Sequence, residues 1–300
     1  MKRRIFYGII LLAAVVGVLW LDGWMETESV WTLRVAPGGA ARTVTGIPVA
    51  AVLAVLVLLA FREIEIIASS GGVGLLPISG IFGALGLTAI PAISQFTRLP
   101  YSGPAMLVVL GILCLAVFME QMARHGPENG VRRVSQTVLA VVYLGVGAGL
   151  AVQIRMDFGM PAMAFALLAV KFTDIGAYFA GTLAGRHAMS PRVSPNKTWE
   201  GLAGGAALAV GVSMLAAWLL ARLPGGEALA NVRLWQAAVF GAAMALAGQT
   251  ADLAESVLKR SAEVKDSASL VPEFGGVLDM LDSVLLSAPV AYIMLGWMTG

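Results

Sequence analysis

The stretch QTVLAVVYLGVGAGLAVQI (136–154), the short break RMDFG (155–159) and the stretch MPAMAFALLAVKFTDIGAYFAGT (160–182) decide how the chain is read. Each apolar run is long enough to cross a hydrocarbon core of about 30 Å as a helix rising roughly 1.5 Å per residue. Both far exceed the few residues of an ordinary strand. Working outward, similar runs lie at 5–21, 46–61, 73–93 and 105–119 on one side, and at 202–221, 234–254 and 277–298 on the other. The expected architecture is therefore all-α: a polytopic integral membrane protein of about nine transmembrane helices with a cytoplasmic N-terminus. Composition agrees, since 58% of residues are hydrophobic and 13% charged, with a mean hydropathy of +0.84. These values exclude an ordinary soluble domain. A net charge of +2 gives no reason to expect a nucleic-acid partner.

The distribution of basic residues sets the expected orientation. With the N-terminus inside, Lys2, Arg3, Arg4, Arg62, Arg124, Arg132, Arg133, Arg186, Arg192, Lys197, Lys259, Arg260 and Lys265 fall on the cytoplasmic side. Arg34, Arg42, Arg98, Arg155, Arg222 and Arg233 fall outside, a bias of roughly two to one inward. The first apolar run is read as an uncleaved span, because no small-residue cleavage pattern follows Leu21. Pro77 and Pro91 predict a kink or break in the third span. Cys114, the single cysteine, is expected to pack in the interior. The glycine-rich stretches GAGLA (147–151) and GLAGGAALA (201–209) are expected to let helices approach closely.

Charged residues inside apolar runs are expensive and point to function. Lys171 and Asp174 share one helix face at i, i+3, and Asp252 with Glu255 and Asp279 with Asp282 repeat that spacing. The first pair could equally be a neutralising pair within the bundle. For Asp279 and Asp282 that reading is weaker, since two carboxylates on one face repel unless a cation lies between them. Hard oxygen ligands at this spacing suit Mg²⁺, which takes one or two carboxylates and completes its shell with water and phosphate. Lys259, Arg260 and Lys265 read either as topology signals or, beside the acids, as clamps for a polyphosphate. Gly275 and Gly276 precede the last helix and would let backbone approach a phosphate, a weak signal by itself. The loop 183–200 is polar, basic and stiffened by Pro191 and Pro195. It could present Ser194 and Lys197 to an anion, while Ser194 or Thr198 could instead be a helix N-cap.

The run Ser256, Val257, Leu258, Lys259, Arg260, then Lys265, Asp266, Pro272, Gly275, Gly276, Asp279 and Asp282 resembles the signature of bacterial phosphatidate cytidylyltransferases, the CDP-diacylglycerol synthases. Upstream, DIGAYFAGTLAGRH from Asp174 is similar to the family's DTGAYFxGxxxGxH, and SPNKTWEGLAGG from Ser194 to its SPxKTxEGxxGG. GQTADLAES from Gly248 is similar to GQxGDLxES. The resemblance spans about residues 170–290. It departs at Phe274, where the family usually has His, at Glu273 for Gly, at Met280 for Arg, and at Val271 for Leu or Ile.

That resemblance implies CTP and phosphatidate as substrates, CDP-diacylglycerol and pyrophosphate as products, and a cell-membrane enzyme of phospholipid biosynthesis working at the cytoplasmic face. It implies catalytic roles for Asp252, Lys259, Arg260, Lys265, Asp266, Asp279 and Asp282, and substrate binding by Asp174, Ser194, Lys197, Glu200, Ser256, Gly275 and Gly276. Asp252, Asp279 and Asp282 would hold Mg²⁺, with a second cation compatible, and Asp174 would orient Lys171 or join the metal shell. The departures imply altered affinity, not a dead enzyme. Residues 1–160 are expected to form a lipid-facing scaffold able to pair as a homodimer, and 161–300 the catalytic region. The competing readings are a cytidylyltransferase acting on another lipid phosphate, a secondary transporter, and a degenerate membrane scaffold. Against a transporter stand the absence of a visible inverted repeat and the gathering of charge at one surface.

Overall fold

A computed structural model describes residues 2–27, 32–33, 42–96, 103–263 and 275–300. The long apolar runs are helices: α1 (Lys2–Thr27), α2 (Ile47–Ser70), α3 (Pro77–Ser94), α4 (Gly103–His125), α5 (Gly130–Val141), α6 (Gly147–Ala184), α7 (Trp199–Leu220), a short α8 (Glu227–Ala230), α9 (Leu234–Ser261) and α10 (Val277–Thr299). Strand is confined to two short antiparallel pairs, β1 (Thr32–Leu33) with β2 (Arg42–Thr43), and β3 (Ala188–Ser190) with β4 (Ser194–Thr198). Among the described residues, seven helices are long and apolar enough to cross a membrane. One of those seven is the continuous run Gly130–Ala184. It contains a five-residue π-helical turn at Val142–Val146 and a break at Gly159, whose φ of 83° lies in the left-handed region. Pro161 follows that break, so the helix cannot continue its ladder through this point.

Contacts divide the chain into two compact units, 1–156 with 262–279 and 157–261 with 280–300. In the first, α2 and α3 pack together and α3 lies against the π-helical turn. Small residues make that approach possible. A Cβ placed on Gly149 would stand 2.6 Å from the carbonyl oxygen of Leu87, and one on Gly80 only 2.3 Å from the Phe61 ring. Phe61, Val57, Leu76 and Leu144 are fully buried there. Pro77 occupies the first turn of α3, where its missing N–H costs nothing. Pro91 is taken up inside the helix, so α3 runs through to Ser94 unbroken.

Helices α2 and α4 extend past the ends that hydropathy sets for them, to Ser70 and His125. Each extension carries a buried carboxyl group. Glu63 of α2 accepts the backbone N–H groups of Val277 and Leu278 at 2.8 Å each, capping the start of α10. Glu120 of α4 accepts those of Ile78 at 3.2 Å and Ser79 at 2.6 Å, capping α3, and also takes the Ser79 hydroxyl at 2.7 Å. Each first turn of a helix has unsatisfied donors, and here another helix supplies the acceptor. Arg155 is likewise not the loop residue that the charge count implies. It is buried in α6 and ion-paired with Asp22 and, at 2.7 Å, with Glu26, two acids one turn apart on α1. Cys114, expected inside, is exposed on the outer face of α4 beside Leu107, Ile112, Leu115 and Phe118. An apolar, outward helix face is what a lipid-facing span presents, and a thiol is compatible with it.

In the second unit α7 packs on α9, and Phe165 meets Phe240 with ring centroids 4.5 Å apart. The GLAGGAALA stretch does what its composition suggests, against α6. A Cβ on Gly205 would lie 2.8 Å from the Thr173 carbonyl oxygen, and one on Gly176 2.8 Å from that of Gly204. Backbone cannot move aside as a side chain can, so Gly205→Ala is expected to cost about 1–3 kcal/mol through overpacking. Gly211 of α7 has open space where its Cβ would be. Gly211→Ala is therefore expected to be neutral or stabilising by up to ~1 kcal/mol from helix propensity. Thermal unfolding of both variants in detergent checks the contrast.

Candidate active site

Four elements of the second unit, α6, the β3–β4 hairpin, α9 and α10, supply its polar cluster. Asp252 lies on α9 and Asp282 on α10, and Ser283 ties them: its hydroxyl is 2.8 Å from Asp252 Oδ1 and 2.9 Å from Asp282 Oδ1. The Ser283 backbone N–H also donates to Asp282 Oδ1, at 2.5 Å. The other oxygen of Asp252 receives the ammonium of Lys197 at 2.5 Å. Lys197 reaches it from β4, in the hairpin that the sequence reading treats as an irregular loop. One turn after Asp252, the buried Glu255 is paired with Lys259 at 2.9 Å and lies within reach of Asp282. On α6, Asp174 is within electrostatic range of both Asp252 and Lys197. Its own partner is Lys171, 3.6 Å away, whose ammonium donates to the carbonyl oxygen of Met280 at 3.2 Å.

This arrangement has a clear chemical character. Four carboxyls and three lysines gather here, Glu255 and Asp282 buried and Lys171 and Asp174 partly exposed, so each sign is set beside the other. Asp252 and Asp282 together offer hard oxygen atoms, and Lys197 and Lys259 offer charge suited to phosphate. Among the described residues no group of three His, Cys, Asp or Glu side chains closes around a metal position. A two-carboxylate donor set remains, which is what Mg²⁺ uses when substrate phosphate completes its shell.

The remaining expected residues fall as follows. The first-turn carboxylate of α10, Asp279, belongs to the first unit and accepts the Gly276 backbone N–H at 2.9 Å. Gly275, with φ of 90°, makes the turn into that helix, and a Cβ there would meet Asp279 Oδ2 at 2.5 Å. Arg260 is exposed and Ser256 half-buried near the end of α9. Lys265, Asp266, Pro272, Glu273 and Phe274 lie outside the described residues. Ser194 pairs with Ser190 across the hairpin, and it is Thr198 that caps α7, accepting the Gly201 N–H at 3.1 Å. Glu200 holds the base of the hairpin: its carboxylate takes the Arg186 and His187 amides at 3.1 and 3.2 Å and meets the His187 ring at 2.5 Å. Two members of the cluster have no place in the sequence assignment. Ser283 directly follows Asp282 in an apolar helix, and a hydroxyl at that place is a signal that the motif reading stops one residue short of. Glu255 carries the right i, i+3 spacing from Asp252 but no assigned role.

The Cytidylyltransferase family matches residues 30–298. A protein of Brucella suis biovar 1 (strain 1330) named phosphatidate cytidylyltransferase is 40% identical over 188 residues, covering 62% of this chain and 63% of the relative. The phosphatidate cytidylyltransferase of Bacillus subtilis (strain 168) is 36% identical over 159 residues, 52% of this chain and 56% of the relative. That of Mycobacterium leprae (strain TN) is 35% identical over 178 residues, 59% and 54%. The chain thus spans less than two thirds of the length of these relatives.

Proposed function

Since the chain belongs to the Cytidylyltransferase family, we propose that it transfers a cytidylyl group from CTP to phosphatidate, forming CDP-diacylglycerol and releasing pyrophosphate. The observation that carries this reading is the pair Asp252 and Asp282, joined by Ser283 and faced by Lys197, inside a membrane-type helix bundle. The names of the relatives support it.

In the proposed reaction an oxygen of the phosphatidate monoester attacks the α-phosphorus of CTP in line. The bond from that phosphorus to the bridging oxygen breaks, and its electron pair leaves with pyrophosphate. The attacking oxygen is already anionic near neutral pH, so no general base is needed. What the protein supplies is position and charge cancellation between two anions. Lys197 and Lys259, with Arg260 and Lys265, bind the phosphates and the leaving group. Ser194 and Glu200 act through the hairpin that carries Lys197, and roles toward the nucleotide are proposed for Ser256, Gly275, Gly276 and Asp266. Asp252 and Asp282 are the residues that would hold Mg²⁺, with a second cation compatible with the set. Bound there, Mg²⁺ would neutralise phosphate charge.

The protein is placed, by the same proposal, in the cell membrane with its site toward the cytoplasm, where the basic hairpin and the end of α9 meet water-borne CTP. Pairing as a homodimer through residues 1–160 belongs to the proposal too. The deciding experiment uses purified full-length protein in detergent with CTP, Mg²⁺ and phosphatidate. Radiolabelled CDP-lipid and pyrophosphate should appear in equal amounts and fall to background when any one component is omitted. Folded protein that makes no product from the complete mixture sinks the proposal.

A further inference from the structure

Lys171 is a cation in the middle of an apolar helix, and its surroundings do not use it up. Its ammonium has three N–H donors. Among the described residues it makes one hydrogen bond, to the Met280 carbonyl oxygen at 3.2 Å. The Asp174 carboxylate, at 3.6 Å, is an ion pair beyond hydrogen-bond distance. The Lys171 side chain is 43% exposed, so its remaining donors open out of the bundle instead of into packing. A charge at this depth needs an anion, and Asp174 is shared, being in the range of Lys197 as well.

Position on the helix says what kind of anion. Lys171 precedes the end of α6 at Ala184 by 13 residues, about 20 Å of helix. Lys197 comes from the hairpin beyond that end, whereas Lys171 stands on the helix itself, so the two ammoniums approach Asp174 from different elements. A water-borne triphosphate arrives through the basic hairpin, whereas the headgroup of a lipid enters from the flank of the bundle, where the partly exposed Lys171 stands. Lys171 also docks on the backbone of residue 280, between Asp279 and Asp282, where Met280 leaves the position without a charge of its own.

We propose that Lys171 binds the phosphomonoester of the lipid substrate, holding it beside the Asp252–Asp282 pair. The assignment rests on the reading given above, and its test separates the two. Lys171→Met and Lys171→Gln, each verified by melting to fold like the parent, are assayed for product and for binding of radiolabelled dioleoyl phosphatidate to immobilised protein without CTP. The expected result is a rise of at least about tenfold in both KM and Kd for phosphatidate, the loss of one charge-assisted contact. KM for CTP should stay unchanged, and Lys171→Arg should recover most of the lipid affinity. Unchanged phosphatidate binding in both neutral variants, or a rise confined to KM for CTP, overturns the assignment while leaving the proposed reaction standing. Lys171-dependent phosphatidate binding by a parent protein that forms no product supports the assignment and removes the reaction instead.

Discussion

Asp282→Asn is expected to reduce CDP-lipid formation by about 10²–10³ in kcat while leaving the fold intact. Asparagine keeps the shape of the side chain, its carbonyl oxygen still accepts the Ser283 backbone N–H, and the Ser283 hydroxyl still donates to Asp252, so the link between α9 and α10 survives. The substitution removes charge and one hard oxygen, the two properties for which the pair Asp252 and Asp282 is proposed. Buried carboxylates side by side are a liability for stability, so the variant should melt no lower than the parent. Activity and stability therefore move in different directions, which a merely structural carboxylate would not produce. Turnover within about twofold of the parent, under saturating Mg²⁺ and both substrates, would remove Asp282 from the chemistry. Ser283→Ala serves as the graded companion: losing the bridging hydroxyl while both carboxylates remain should cost around tenfold, the scale of one hydrogen bond to a charged group.

Arg155→Met should produce the largest loss of stability among single changes. The guanidinium is buried between Asp22 and Glu26, and removing it leaves Asp22 without its ion partner at a site that is itself buried. Breaking a buried pair from one side costs about 3–5 kcal/mol, which corresponds to a melting decrease on the order of 10 °C in a domain of this size. The double variant Asp22→Asn with Arg155→Met should regain most of that loss, because the buried charge is gone and the Glu26 carboxylate that remains is partly exposed to solvent. Melting followed by loss of monodispersity in detergent reads both. Failure of the second substitution to recover stability would mean that Arg155 acts through packing of its stem and not through charge.

The helical, membrane-spanning character of the chain is legible from hydropathy alone because it is a local property of about twenty consecutive residues. The break between the runs ending at Ile154 and beginning at Met160 is equally local, and Gly159 is where it falls. Much of the polar cluster is legible too, since Asp252 and Asp282 are charges in apolar surroundings and Lys197 sits in a distinctive loop motif. What the sequence leaves hidden is who pairs with whom. Arg155 lies in the short polar break between two spans and so counts as an outer-loop charge, yet its partners are 129 and 133 residues away. Glu63 and Glu120 lie just past the ends assigned to their spans, because a hydropathy window charges each carboxyl its full cost and cannot see the amides that meet it. Cys114 reverses for a related reason. In a bilayer an apolar neighbourhood in sequence does not distinguish a helix's inner face from its outer one.

Glu63 also sets an order in time. Its carboxyl and the amides it caps are separated by 214 residues. At typical synthesis rates of about 5–20 residues per second, those amides are made roughly 10–40 s after Glu63. Throughout that interval the acid sits near the end of an apolar helix with its eventual acceptor role unfilled, held by water at the membrane boundary or by transient neighbours. The first unit is thus begun first and closed last: residues 157–261 are all synthesised before the turn at Val277 and Leu278 exists to lock it. A chain that stalls before that turn lacks the two amides that Glu63 accepts in the finished protein.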